Sequence, residues 1–374
     1  MTLDHPRNPG RSSRPRARSV AVRAGLVLAS AAVGWLCVEA GARLLLGPPF
    51  DATERVLLVS RPYWRTWGRT LRYAPDARVR SVALFGDRIE VDVRFRTNEM
   101  GLIDARSYAG PSGLPRERRW AFVGDSFTAG YHGGEPWVPR LRERAAARGR
   151  AVAIYNLGVD GAGFPHFASL LEATAPALDY GRVAVLFISN DFQRNDWVPV
   201  ESGGRISVCP PPDAAETWAC EPLRILVFDD RDATAPALRA LARASGLVEP
   251  PHSLAERVAR ESFVGAALRR LARPEAPAPE LRGTVDLSGW LARIEPVARD
   301  RELTFLQIPE REEVAEGAYR LDPRASIERA GHRYVSLLDS CGLREEHYLA
   351  RDHHLDAAGY ERLLGCVGSA LGLL

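Results

Sequence analysis

Trp120, Ala121, Phe122 and Val123, followed by Gly124, Asp125, Ser126, Phe127, Thr128, Ala129 and Gly130, join an apolar run to a tight turn that carries a serine. A short apolar run bounded by turn residues reads as a buried strand, and a helical pattern follows over Trp137–Ala147. The alternation recurs downstream. Strands are expected over Ala151–Asn156, Val183–Ile188, Leu303–Ile308 and Tyr334–Leu338, with helices near Phe167–Ala173, Leu287–Arg299 and Ala357–Leu371. Strands that alternate with helices specify an α/β domain with a parallel sheet. Residues 201–283 break the rhythm and read as an insertion, with a Pro-rich Cys loop, a helical portion around Leu238–Arg273 and an Ala/Pro linker. Upstream, the alternating segments Ser81–Phe85 and Ile89–Phe95, joined through Gly86 and Asp87, predict a small membrane-proximal β element within residues 47–115.

Ligands of open parallel sheets bind beyond the carboxyl ends of the strands, so the residues that follow each strand carry the chemistry. After the first strand, Ser126 stands in a strand-to-helix turn that presents its hydroxyl and its own N–H at the sheet edge. After the second come Asn156, Leu157, Gly158, Val159, Asp160, Gly161, Ala162 and Gly163, where glycines allow close backbone approach to a ligand. This is not a dinucleotide fingerprint: the glycine spacing is reversed, and no acid ends the next strand. After the third strand, the Asn190 amide is placed to donate to developing negative charge. Before the last helix, Asp352, His353, His354, Leu355 and Asp356 set a carboxylate beside an imidazole, the pair needed for an oriented general base. A metal on Asp352, His353, His354 and Asp356 is the weaker alternative, because ligands from one contiguous stretch rarely reach tetrahedral geometry.

In this order the blocks resemble the SGNH hydrolase superfamily, the GDSL-like esterases and lipases, over about residues 116–374. The resemblance rests on Gly124, Asp125 and Ser126, on Asn156 with Gly161 five residues on, on Asn190, and on Asp352 and His354 followed by Gly359. Two positions depart from the commonest pattern. Ile188 stands where a glycine usually precedes the third-block Asn, and Arg351 stands three residues before His354, so that the acid falls two residues before the base. That spacing resembles the branch containing extracytoplasmic polysaccharide acyl-modifying proteins, and the stretch Asn98–Ala105 and Trp137 look like its membrane-anchored bacterial members. The resemblance implies a flavodoxin-like three-layer α/β/α fold and a Ser126, His354, Asp352 triad. It implies an oxyanion hole of the Ser126 and Gly161 N–H groups with the Asn190 amide, and no metal or other cofactor. The function it implies is a serine esterase acting on an acylated carbohydrate or lipid. An O-acyltransferase on the same scaffold and a non-catalytic polysaccharide-binding protein are the alternatives.

Compartment is written at the N-terminus. Arg7, Arg11, Arg14, Arg16, Arg18 and Arg23 precede an uncharged run from Ala24 to Val38, and apolar character resumes at Leu44–Leu46 after Glu39 and Arg43. A basic tail before an apolar segment is retained in the cytoplasm. Residues 1–23 therefore read as a cytoplasmic tail and 24–46 as a transmembrane signal anchor, with the remainder periplasmic or extracellular. A signal peptide cleaved near Ala40, Gly41 and Ala42 is the alternative. All 50 basic residues are Arg, and the formal net charge of +3 divides into +5 on residues 1–23 and −2 on the rest. The exported part thus offers no electrostatic case for nucleic acid. It holds four of the five cysteines, and an oxidising compartment permits the pairs Cys209 with Cys220 and Cys341 with Cys366.

Overall fold

The computed structural model describes residues 14–46, 55–60, 64–67, 70–85, 88–110, 112–194, 197–202, 205–211, 219–223, 225–230, 234–245, 262 and 283–374. Residues 1–52 with 250–278 cluster as one unit, and residues 53–249 with 279–374 as a second. In the first unit the described residues are essentially the helix α1 (Arg14–Leu46), whose segment Val22–Gly41 is long and apolar enough to cross a membrane. Its side chains Leu26, Val27, Leu28 and Leu36 are exposed.

The second unit begins with β1 (Arg55–Val59), β2 (Trp64–Trp67), β3 (Thr70–Tyr73), β4 (Arg78–Phe85) and β5 (Arg88–Arg96). Gly86 and Asp87, expected at the β4–β5 turn, lie outside the described residues. The alternating unit follows: β6 (Arg119–Gly124), α2 (Ser126–Ala129), α3 (Trp137–Ala147), β7 (Ala153–Gly158), α4 (Phe164–Leu178) and β8 (Arg182–Phe187). β9 (Val198–Ser202) leads into the region expected as an insertion, which holds β10 (Arg205–Cys209), β11 (Glu221–Pro222), β12 (Ile225–Val227) and α5 (Ala235–Ala244). The helical portion expected to continue to Arg273 falls outside the described residues, apart from Ser262. The chain ends with β13 (Gly283–Thr284), α6 (Ser288–Ala298), β14 (Glu302–Gln307), α7 (Arg311–Glu316), β15 (Leu321–Asp322), α8 (Arg324–Arg329), β16 (Arg333–Ser336) and α9 (Ala357–Ala370).

Five strands form the parallel sheet in the order β16-β14-β8-β6-β7. Counted along the chain, this is the doubly wound order 2-1-3-4-5, whose direction reverses between β6 and β8. Both faces are buried, which is why these strands are continuously apolar instead of alternating. Ala121, Val123, Val183, Val185 and Phe305 point to one core with Phe164, Phe167 and Leu171 of α4 and Leu291 and Ile294 of α6. Trp120, Phe122, Ala184, Leu186 and Leu306 point to the other with Trp137 and Leu141 of α3 and Leu363, Leu364 and Val367 of α9. The result is the expected three-layer α/β/α arrangement.

The second strand begins and ends two residues later than its sequence suggests. Its register pairs Arg119 with Ala153 and Gly124 with Gly158, so Asn156, Leu157 and Gly158 belong to the ladder although Asn and Gly resemble turn residues. A four-stranded sheet in the order β12-β1-β4-β5 packs in the same unit. Its β12 comes from the region read as an insertion and pairs parallel with β1. Cys209–Cys220 and Cys341–Cys366 are disulfide-bonded, with Cα separations of 4.3 and 5.1 Å.

Candidate active site

Ser126 opens α2 immediately beyond β6. Asp125 caps that helix, its side chain accepting from Phe127 N at 2.8 Å, so the turn aims Ser126 at the carboxyl edge of the sheet. This edge is the switch point where the strand order reverses. Trp137 Nε1 donates to Phe127 O at 2.9 Å and fixes the back of the turn.

His354 arrives from the loop before α9. The Ser126 hydroxyl lies 2.7 Å from His354 Nε2, and His354 Nδ1 is hydrogen-bonded to Asp352 Oδ1. All three groups are largely buried, and the Asp352 side chain is fully so. Burial alone would raise the Asp352 carboxyl, but His354 and the Arg55 guanidinium hold it below the usual carboxylate range. The two-residue spacing is accommodated by His353, which adopts φ +60° between the acid and the base. Its side chain turns away to pair with Glu312 at 3.0 Å. Asp356 caps α9 by accepting from Gly359 N at 2.8 Å.

The other block residues lie in β7 (Asn156) or follow β7 and β8 (Gly161 and Asn190), the two neighbours of β6 in the sheet. Asn156 is buried and organises the turn. Its Nδ2 donates to Ile103 O at 3.2 Å and its Oδ1 accepts from Gly158 N at 3.0 Å. The stretch Asn98–Ala105 is therefore structural support: Asp104 binds Arg142, Tyr108 OH donates to Asp104 at 2.8 Å, and the same hydroxyl accepts from Asn156 N at 2.9 Å. Gly161 has φ +74°, and a Cβ built there would meet open space. Asn190 lies in the 3₁₀ turn after β8, and its N–H donates to Glu310 Oε2 at 3.1 Å. The alternative amide, Asn195, lies outside the described residues.

Sequence patterning missed four residues at this site. Arg194 reaches Asp125 at 3.2 Å, Asp191 at 3.4 Å and the carbonyl of Ala162, tying together the loops after β6, β8 and β7. His132 stacks on His354, with ring centroids 3.7 Å apart and planes within 1°. Burial, then the neighbouring His354, pushes the His132 imidazole well below its ordinary range, so it is neutral. Arg55 Nε lies 3.0 Å from Asp352 Oδ2, and its Nη2 lies 3.2 Å from His132 Nε2. The Glu90 carboxylate accepts from Arg351 N at 3.0 Å and from Asp352 N at 2.8 Å. No spacing rule connects positions 261 and 262 residues apart, so local pattern held no signal for Glu90.

His132, Asp352 and His354 offer ligand atoms within 4.8 Å of one another. The Arg55 guanidinium already engages Asp352 Oδ2 and His132 Nε2, which makes the cluster a poor cation site. The set Asp352, His353, His354 and Asp356 is split among separate partners.

No family model and no curated protein matches the chain. Among solved structures, it is similar to an alpha/beta hydrolase enzyme from the metagenome of Lake Arreo, Spain, at 15% identity and TM-score 0.34, covering 70% of this chain and 98% of that one. It is also similar to the lipase/acylhydrolase from Enterococcus faecalis, at 15% identity and TM-score 0.34, covering 68% and 95%. A Clostridium thermocellum family 3 carbohydrate esterase matches at 11% identity and TM-score 0.31, covering 68% and 94%.

Proposed function

We propose that the protein is a serine ester hydrolase of the SGNH type. The hydrogen-bonded line from Ser126 through His354 to Asp352, set at the switch point of a doubly wound sheet, carries this reading. His354 Nε2 takes the Ser126 proton as Oγ attacks an ester carbonyl, and Asp352 holds the imidazole in the tautomer with hydrogen on Nδ1. The oxyanion is met by the N–H groups of Ser126 and Gly161 and by the Asn190 amide. Water then resolves the acyl-enzyme.

We further propose that the apolar helix anchors this chemistry at a membrane, on its outer side, and that the substrate is an acyl ester of an extracytoplasmic carbohydrate or lipid. Five tail arginines before Val22–Gly41, with Arg23 at its start, support that orientation.

A fluorophosphonate probe on the full chain tests the enzyme. Ser126→Ala should abolish labelling and reduce p-nitrophenyl acetate turnover by roughly 10³-fold or more. Equal labelling of wild type and variant refutes the nucleophile. Asn190→Ala should cost on the order of 100-fold in kcat, and unchanged turnover would remove Asn190 from the oxyanion hole.

A further inference from the structure

We propose that Arg55 and Glu90, contributed by the antiparallel sheet, are positioning residues for Asp352, which makes the N-terminal sheet part of the catalytic unit; this rests on the triad reading above.

Two independent contacts converge on one short loop. Glu90, on β5, takes both adjacent backbone N–H groups of Arg351 and Asp352 in its carboxylate, at 3.0 and 2.8 Å. Hydrogen bonds to an ionised acceptor are about twice as strong as neutral ones, and here they fix the backbone from which the acid side chain springs. The next residue, His353, sits at φ +60°, a conformation that a non-glycine residue holds only when its surroundings impose it. Glu90 supplies one restraint, and the bond from Leu349 N to His354 O at 2.8 Å supplies another.

Arg55, on β1, acts on the side chain. Its Nε pairs electrostatically with Asp352 Oδ2 at 3.0 Å while Oδ1 is hydrogen-bonded to His354, so each carboxylate oxygen has its own partner, a charge on one and the base on the other. Its Nη2 meets His132 Nε2 at 3.2 Å. A guanidinium has no lone pair to offer, so His132 Nε2 must be the acceptor and the ring neutral. That neutral ring lies flat on His354, and Phe127 lies 4.9 Å from the same imidazole, tilted by 32°. One face of the base is thereby covered by His132, and Arg55 links that ring to the acid.

The test uses the full-length chain in detergent with p-nitrophenyl acetate. Glu90→Gln replaces one accepting oxygen with an amide that cannot accept, and Arg55→Gln removes the charge. Each should lower kcat by roughly 10- to 100-fold while KM changes less than about 3-fold, and Arg55→Lys should recover part of the loss. In an Asp352→Asn background the same substitutions should add less than about 2-fold, because residues that act through one group are not additive. Amide hydrogen exchange at Arg351 and Asp352 should accelerate in Glu90→Gln, and Glu90→Asp replaces that variant if it does not fold. Wild-type kcat in both variants, or full additivity with Asp352→Asn, overturns the proposal. If wild type is labelled at Ser126 and exchange accelerates without loss of kcat, the positioning role alone fails. If wild type neither labels nor turns over ester, the hydrolase reading fails and the role falls with it.

Discussion

At Gly158 a side chain has nowhere to go: a Cβ would lie 2.1 Å from Ala129 N and 2.5 Å from Thr128 C. Both atoms are backbone of the helix that carries Ser126, so neither can give way alone. Gly158→Ala should lower the melting midpoint, by an overpacking cost of about 1–3 kcal/mol, and slow fluorophosphonate labelling at least ~10-fold. Wild-type labelling would show that the turn yields without consequence. His353 supplies the opposite case. Its φ of +60° suits glycine, and its exposed pair with Glu312 is worth at most ~1 kcal/mol. His353→Gly should therefore keep kcat within about 3-fold, whereas His354→Ala should abolish it. Equal losses in the two variants would reassign the base. The sequence offers two adjacent histidines, and only the direction in which each side chain leaves the loop separates them.

The loops after β6, β7 and β8 behave as one element because Arg194 joins them. Removing it strands the buried Asp125 and Asp191 carboxylates, so Arg194→Met should destabilise by about 3–5 kcal/mol. A change under about 1 kcal/mol in the denaturant midpoint would contradict this. The first turn of α4 carries a pH dependence. His166 Nδ1 accepts from Gly163 N at 3.0 Å, and Nε2 faces Trp197 O at 3.1 Å, an arrangement that requires the neutral ring. Burial, with the charges of Arg194 and Arg293, pushes its pKa down to about 4. The unfolded chain takes up this proton near ~6.5 while the folded chain resists until about 4. Stability is then lost as pH falls through that window, by up to ~1.4 kcal/mol per pH unit for this group. Melting of wild type and His166→Asn from pH 7 to 5 should show a shallower fall for the variant. Parallel curves would exclude His166 as the cause.

For the whole molecule, the Cys341–Cys366 bridge spans 25 positions and encloses both Asp352 and His354. Constraining such a loop in the unfolded chain is worth ~3 kcal/mol. Cys341→Ser with Cys366→Ser should lower the melting midpoint and make it insensitive to reductant at that bridge. An unchanged midpoint would mean that the loop is held by other contacts. The N-terminal sheet extends the same principle, since Val59, Val79 and Phe95 share a core with Val123 and Val185 of the parallel sheet.

The sequence by itself determined the parallel-sheet strands, within two residues, because burial on both faces demands unbroken apolar runs that punctuation by Gly, Asp and Asn makes visible. It also singled out Ser126, Gly161, Asn190, Asp352 and His354, because each stands next to a strand end or a helix start, where local signals are strong. Only the tertiary structure decided which strands are neighbours, and hence that the loops of β6, β7 and β8 meet around one serine. It alone brought Arg55, Glu90, His132 and Arg194 to the site. Their contacts depend on charge and burial between segments far apart in the chain, and neither quantity has a period or a spacing that a single sequence can display.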